Sequence, residues 1–323
     1  MNGSVVSATP STDPTRKRLE AHLVTAAIQT DQLTTYYRAT PGILDLSLEV
    51  QVGEVFGFLG PNGAGKSTTI RTLLDLLHPT NGSATILGFD SHRDATEIHR
   101  RIGYLPGEVA MYDNMTAREM LTYFSALRSI DTSAYVARLA GRLELDLDRK
   151  ISSYSSGNRQ KVAIIQAFMH KPELLILDEP SSGLDPLMQQ EFYRMVDEIQ
   201  AEGRTVFLSS HILPEVERTA DRVAIVRHSR LVALETVADL KAKARRHFQF
   251  VFADPIDPAV FSDLPGVSSV RSSHDGHGID IHVEGPVEGV LGTASEYRME
   301  NVISHEGDLE DAFLSFYEDD DAA

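Results

Sequence analysis

Residues 60 to 67 read Gly60-Pro61-Asn62-Gly63-Ala64-Gly65-Lys66-Ser67, with Thr68 next. This satisfies G-x-x-x-x-G-K-[ST], a loop whose backbone N–H groups converge on phosphate oxygens. The apolar run VFGFL precedes it and STTIRTLLDLL follows, so the required strand and helix flank it on both sides. The helix would point the positive end of its dipole at the phosphates. Lys66 is placed to bridge the β- and γ-phosphates, and the Ser67 hydroxyl to ligate Mg²⁺. Further on, LLILDEP is an apolar strand that ends in Asp178 and Glu179. Adjacent carboxylates at the end of a buried strand are costly unless a cation or a reaction uses them. Asp178 is therefore read as holding Mg²⁺ through its water shell, and Glu179 as polarising an attacking water.

The elements that must position these groups are legible in the periodicity. From 21 to 236 short Val/Ile/Leu/Phe runs alternate with longer amphipathic stretches, the pattern of an α/β domain. Strands are expected over 54–59, 174–177 and 205–208, and a hairpin over 222–226 and 230–234 with its turn at His228 and Ser229. A charged helical stretch is expected over 237–247, followed by short strands at HFQFVF and GIDIHV between Asp/Pro/Gly-rich loops. The change of texture places a domain boundary there: 1–20 a mobile tail, 21–240 the larger domain, 241–317 a small α+β domain, 318–323 an acidic tail. Leu309, Ala312, Phe313, Phe316 and Tyr317 share one stripe of a helix expected to cover the small sheet. In SHDGHGIDIH, residues His274, Asp275 and His277 lack a supporting ligand cluster and are read as loop rather than metal site.

Composition narrows the class. The 323 residues are 42% apolar and 24% charged, and no apolar run approaches the roughly 18 residues that span a bilayer. The first 20 residues lack the apolar stretch of a secretory signal, which makes the cytosol the default compartment. Without cysteine there is neither a disulfide nor a thiolate metal site. A net charge of −17 repels phosphate backbones and argues against a nucleic-acid partner.

Three later motifs decide among phosphate-loop families: YSSGNRQKVAIIQAF before the acidic strand, SSGLDP after it, and FLSSH at the end of a further strand. In this order they resemble the ABC ATPase family over 21–235. The resemblance implies a mixed-sheet core with an antiparallel β subdomain and a helical subdomain, binding ATP with Mg²⁺. It implies that Ser155 reaches the γ-phosphate and Gly157 offers a backbone N–H, both on ATP held by the opposite protomer, so that two copies or two homologous ATPases form composite sites. Asp185 would contact the partner near the phosphate loop, and His211 would hydrogen-bond the γ-phosphate. Tyr37, with Tyr36 as the alternative, would stack on adenine.

Two departures from the family pattern stand out. Gly107, followed by Glu108, occupies the position of a glutamine that reaches Mg²⁺, so either Glu108 substitutes or water completes the metal shell. Ser156 and Asn158 replace signature residues. The loop EVAMYDNM carries Met111, Tyr112 and Met115, which either receive a coupling helix of a membrane subunit or pack in the helical subdomain. The C-terminal part resembles ATPase subunits of bacterial drug and antibiotic exporters. That implies a separate multispanning membrane subunit and a place on the inner face of the membrane. The alternative is a soluble ABC ATPase acting on a macromolecular complex; a single cassette without long coiled-coil insertions argues against it.

Overall fold

The computed structural model describes residues 26–37, 40–243, 246–273 and 275–305. The stripe from Leu309 to Tyr317, both tails and His274 lie outside them.

The apolar runs become strands buried on both faces: β3 (Val55–Leu59), β7 (Leu174–Asp178) and β8 (Thr205–Ser210) have no exposed residue. Double burial is the mark of parallel strands covered by other layers on each side. With β6 (Ile102–Leu105), β9 (Arg222–Arg227) and β10 (Arg230–Thr236) they form one sheet in the order β10-β9-β3-β8-β7-β6. All its pairings are parallel except β9 with β10, the expected hairpin, whose turn places His228 and Ser229 at positive φ.

A second sheet, ordered β2-β1-β4-β5, is antiparallel and built from β1 (Ala26–Tyr37), β2 (Thr40–Gln51), β4 (Asn81–Ile86) and β5 (Phe89–Asp90). Its inward residues Ile28, Leu33, Ile43 and Leu46 join Phe56, Phe58 and Phe207 of the parallel sheet in one core. Within that layer runs α1 (Lys66–Leu73), which buries Ile70 and Leu73. It is followed by α2 (Ala95–Arg101).

The opposite face packs against α3 (Ala117–Leu127), α4 (Ser133–Arg142), α5 (Ser156–Phe168) and α6 (Pro186–Ala201) through Leu121, Leu139, Ile164, Phe168 and Phe192. Two of these starts have a local cause. Thr116 and Glu119 form a reciprocal capping box for α3, and Asp185 caps α6 with Pro186 in its first turn.

After α7 (Leu213–Thr219), α8 (Val237–Lys243) is shorter than the 237–247 stretch expected. His247 instead belongs to β11 (Arg246–Phe252), because the alternation of HFQFVF buries Phe248, Phe250 and Phe252 on one face. Between α9 (Ala259–Ser262) and α10 (Glu288–Ser295) lie β12 (Val267–Ser272) and β13 (Gly278–Val283). With β14 (Met299–His305) they complete an antiparallel sheet ordered β12-β13-β11-β14 around its own core of Phe250, Phe261, Ile281 and Val290.

Candidate functional site

The phosphate loop turns tightly between β3 and α1. Gly65 adopts φ 106, and a Cβ there would stand 1.8 Å from the carbonyl oxygen of Gly42, so only glycine fits. Ala64 is buried behind the loop and donates its N–H to Pro61 O. In front lies a cleft of about 450 Å³, lined by Tyr37, Pro61, Asn62, Gly63, Gly65, Lys66, Ser67, Thr68 and Glu179. Tyr37 is the tyrosine of the pair that lines it and is 57% exposed, leaving a ring face for stacking.

Lys66 is only 6% exposed, and its Nζ donates to Gly60 O at 2.6 Å and Pro61 O at 3.3 Å. The same Nζ pairs with Glu179 Oε1 at 3.2 Å. The other oxygen, Oε2, accepts from His211 Nδ1 at 2.7 Å. Lys66 thus meets two residues more than a hundred positions away because β3, β8 and β7 are successive strands of the sheet and all end at this edge. Glu179 sits at φ 51, a conformation uncommon for a non-glycine residue. Its N–H is held by Ser209 through the carbonyl and hydroxyl oxygens, at 3.2 Å each.

Asp178, one residue back, is 3% exposed. Its Oδ1 accepts from Ser209 Oγ at 2.5 Å, and among the described residues it makes no ion pair. A buried carboxylate with only a hydroxyl partner, beside a cleft with a serine hydroxyl, suits a hard divalent cation that prefers oxygen ligands. Gly107 borders the other oxygen, because a Cβ at 107 would lie 3.2 Å from Oδ2. Glu108 is exposed on the adjoining loop.

Other expected residues do not line this cleft. Ser155 is exposed and caps α5, its Oγ accepting from Asn158 N at 3.3 Å. Gly157 lies in the first turn of that helix, which is tied to the acidic strand's exit by Gln160 Nε2 donating to Pro180 O at 2.9 Å. Asp185 is exposed and accepts at 3.0 Å from both Leu187 N and Met188 N. Met111 packs against the core while Tyr112 is exposed, edge-on to Tyr123 at 6.2 Å between ring centroids. Asp275 and His277 are engaged within the small domain, His277 with Phe252 O at 3.0 Å.

Sequence reasoning missed Arg71 and Glu215. Arg71 lines the cleft beside Tyr104, whose phenol is pushed up by burial and by the Asp178 charge. Its signal was the i,i+4 spacing from Ser67 on one helix face. Glu215 is 1% exposed beneath the His211 turn and accepts from Ser210 Oγ at 2.5 Å. Burial raises its carboxyl above the ordinary glutamate range, and the nearby Glu179 charge adds to this.

A phosphate loop at the end of a central strand, a histidine at the end of the next strand and an acidic pair at the end of the one beyond it define a nucleotide-hydrolysing α/β domain. The comparisons sharpen that class. The ABC transporter family matches residues 43–182. The bacitracin transport ATP-binding protein BcrA of Bacillus licheniformis is 33% identical over 89% of this chain and 96% of its own length. The linearmycin resistance ATP-binding protein LnrL of Bacillus subtilis is 34% identical over 66% of this chain and 70% of its own. Among solved structures, an ATP-binding subunit of an ABC transporter superposes with a TM-score of 0.62 at 31% identity, covering 67% of this chain and 92% of that one. A dimeric bacterial ABC transporter cassette gives 0.61 at 21% identity over 65% and 98%, a likeness of fold. This chain belongs to the ABC transporter family, as an ATP-binding and ATP-hydrolysing subunit. Among the described residues no helix is long and apolar enough to cross a membrane.

Proposed function

We propose that this subunit energises export of a drug, antibiotic or lipid-like compound through a separate multispanning membrane subunit. The support is relatives named for bacitracin transport and linearmycin resistance. In this reading it works on the inner face of the cell membrane as a pair of ATPase subunits.

Glu179 held between Lys66 and His211 is the observation that carries the chemistry. Both carboxylate oxygens are engaged. Each oxygen keeps a second lone pair for water, and release of one partner leaves the group freer to take the proton. The γ-phosphate of ATP offers Lys66 a more highly charged partner, drawing Nζ from Glu179 and arming the base as substrate arrives. His211 is constrained similarly. A neutral ring donates from one nitrogen only, so contact with phosphate from Nε2 requires either the imidazolium or release of Glu179. Ser67 and Asp178 would hold Mg²⁺, which neutralises charge on the transferring phosphoryl group. Tyr37 stacks on adenine, and the N–H groups from Gly63 to Thr68 cradle the phosphates.

Ser155, Gly157 and Asp185 act on the partner copy in this reading, closing its cleft at the free end of α5. We place the boundary between the two domains at 240/241, within α8. Tyr112 and Tyr123 form an exposed aromatic pair on the helical face, near a groove of about 280 Å³ lined by Leu76, Tyr104, Phe124 and Arg128. This face receives an apolar helix of the membrane subunit. The test is reconstitution with the membrane protein that copurifies from the native membrane. ATP-dependent transport that Glu179→Gln abolishes is expected. Assembly instead with a ribosome or another soluble complex, and no membrane protein, would overturn the reading.

A further inference from the structure

Asp75, His78 and His92 form a cluster that the ATP site does not use. Asp75 follows the last turn of α1 at φ 57, with its N–H bonded to Thr72 O. From there one carboxylate oxygen, Oδ1, receives both imidazoles: His92 Nδ1 at 2.7 Å and His78 Nδ1 at 3.1 Å. The rings stand edge-to-face, 4.8 Å between centroids. Asp75 is half-buried, whereas both histidines are exposed at a cleft of about 310 Å³ lined by Ser83, Asp90, Ser91 and Arg93 as well.

The support around the cluster is ordered. Asp90 Oδ1 accepts from the backbone N–H groups of His92 at 3.1 Å and Arg93 at 2.9 Å, and its other oxygen from the Arg93 side chain at 3.1 Å. This fixes the backbone that carries His92 next to β5.

We propose that Asp75, His78 and His92 bind one divalent transition cation of the zinc class, distinct from the Mg²⁺ of the ATP site. The three candidate ligand atoms lie within 4.8 Å of one another. A tetrahedral ion with bonds of about 2.0–2.1 Å needs ligand atoms about 3.3 Å apart. The two Nδ1–Oδ1 distances, 2.7 and 3.1 Å, reach that with shifts of up to about 0.6 Å, and the two ring nitrogens, within 4.8 Å of each other, adjust with them as exposed rings can. Each ring would turn its Nδ1 lone pair to the metal and carry its proton on Nε2. Asp75 exchanges two N–H donors for a cation, and water completes the shell. Two imidazoles with one carboxylate favour zinc-class ions over Mg²⁺ or Ca²⁺, which prefer oxygen. The ion would clip the end of the phosphate-loop helix to the β4–β5 hairpin, linking metal supply to the rigidity of α1.

The experiment is calorimetric titration of the tag-free full chain with Zn²⁺ in nucleotide-free, chelator-treated buffer, alongside His78→Asn, His92→Asn and Asp75→Asn. Co²⁺ titration followed by visible absorption reports the ligand field. One equivalent should bind the wild type with excess Mg²⁺ present, and each substitution should weaken binding by at least about tenfold, as disturbing even supporting contacts of a metal does. Melting without metal should be nearly unchanged in the two histidine variants, since residues 78 and 92 are exposed. Zn²⁺ should raise the wild-type Tm alone. No one-equivalent event in the wild type would overturn the assignment. So would undiminished affinity in His78→Asn and His92→Asn, which would place the ion elsewhere, for example at the β11–β13 histidines. Should Asp75→Asn fail to fold, the two histidine variants still decide.

Discussion

Lys66 and His211 meet on one side chain: Glu179 takes Nζ of the first at 3.2 Å on Oε1 and Nδ1 of the second at 2.7 Å on Oε2. The phosphate-loop cation and the histidine of the neighbouring strand are coupled through the residue placed to activate water. Removing either partner changes the contacts of the carboxylate as well as those to ATP.

For Lys66→Ala, a turnover loss on the order of a hundredfold is expected with weakened ATP binding, the scale of losing one charge-stabilising donor. His211→Ala should keep ATP affinity within a few-fold while lowering turnover. Fluorescent nucleotide binding and phosphate release, measured together, separate the two. Equal loss of affinity in both variants would contradict the division of roles.

Composite sites predict complementation. Lys66→Ala and Ser155→Arg should each be nearly inactive alone, yet a mixture should regain activity, because the mixed pair has one cleft with an intact Lys66 facing an intact Ser155. A self-contained site in each chain gives no recovery. Ser155→Arg also loses the α5 cap, at a cost of about 1 kcal/mol, so the variant's melting is checked first.

Two buried titratable groups oppose each other in pH. Burial lowers His170 to about 4, with Arg128 adding to the effect. The unfolded chain therefore binds the proton first as pH falls below the ordinary histidine value, and stability declines from about pH 6.5 toward 4 by at most about 3 kcal/mol. His170→Gln should flatten that limb of the melting profile. Glu215 is shifted upward, so its contribution is fully present below the ordinary glutamate value and is lost as pH rises through the folded value. Glu215→Gln should therefore gain most over the wild type near pH 8, with the advantage shrinking toward pH 4.5. An advantage that grows in acid would reverse the assigned sign.

The aromatic pair offers a separable test of the membrane contact. Replacing Tyr112 and Tyr123 by serine removes an exposed edge-to-face contact worth about 0.5–1.5 kcal/mol, so the fold and ATP binding should persist. Copurification with the membrane subunit and ATPase stimulation by it should fall at least tenfold. Intact stimulation would move the docking surface elsewhere.

The strands were legible because VFGFL, LLILDEP and TVFLSS are doubly buried, and such runs announce themselves without help from distant residues. The phosphate loop and the acidic pair were legible because their spacing is local. The convergence on Glu179 was not, since Lys66, Glu179 and His211 meet only through the strand order β3-β8-β7. Glu215 looked like an ordinary helical acid. Its burial depends on how α7 returns under the 209–211 turn, and no periodicity reports that. The end of α8 was missed because KAKARRH reads as helix by propensity, while the alternating phenylalanines that claim His247 for β11 come just after.

The central claim is that Glu179 activates water in an ATP-driven pair of subunits. Its most direct test is Glu179→Gln, followed by steady-state phosphate release and by sedimentation with and without ATP. The amide preserves shape but cannot take the proton, so turnover should drop by about 10²–10⁴ while ATP still binds and a nucleotide-dependent dimer accumulates. Turnover equal to the wild type, or a chain that stays monomeric with ATP bound, would contradict the account.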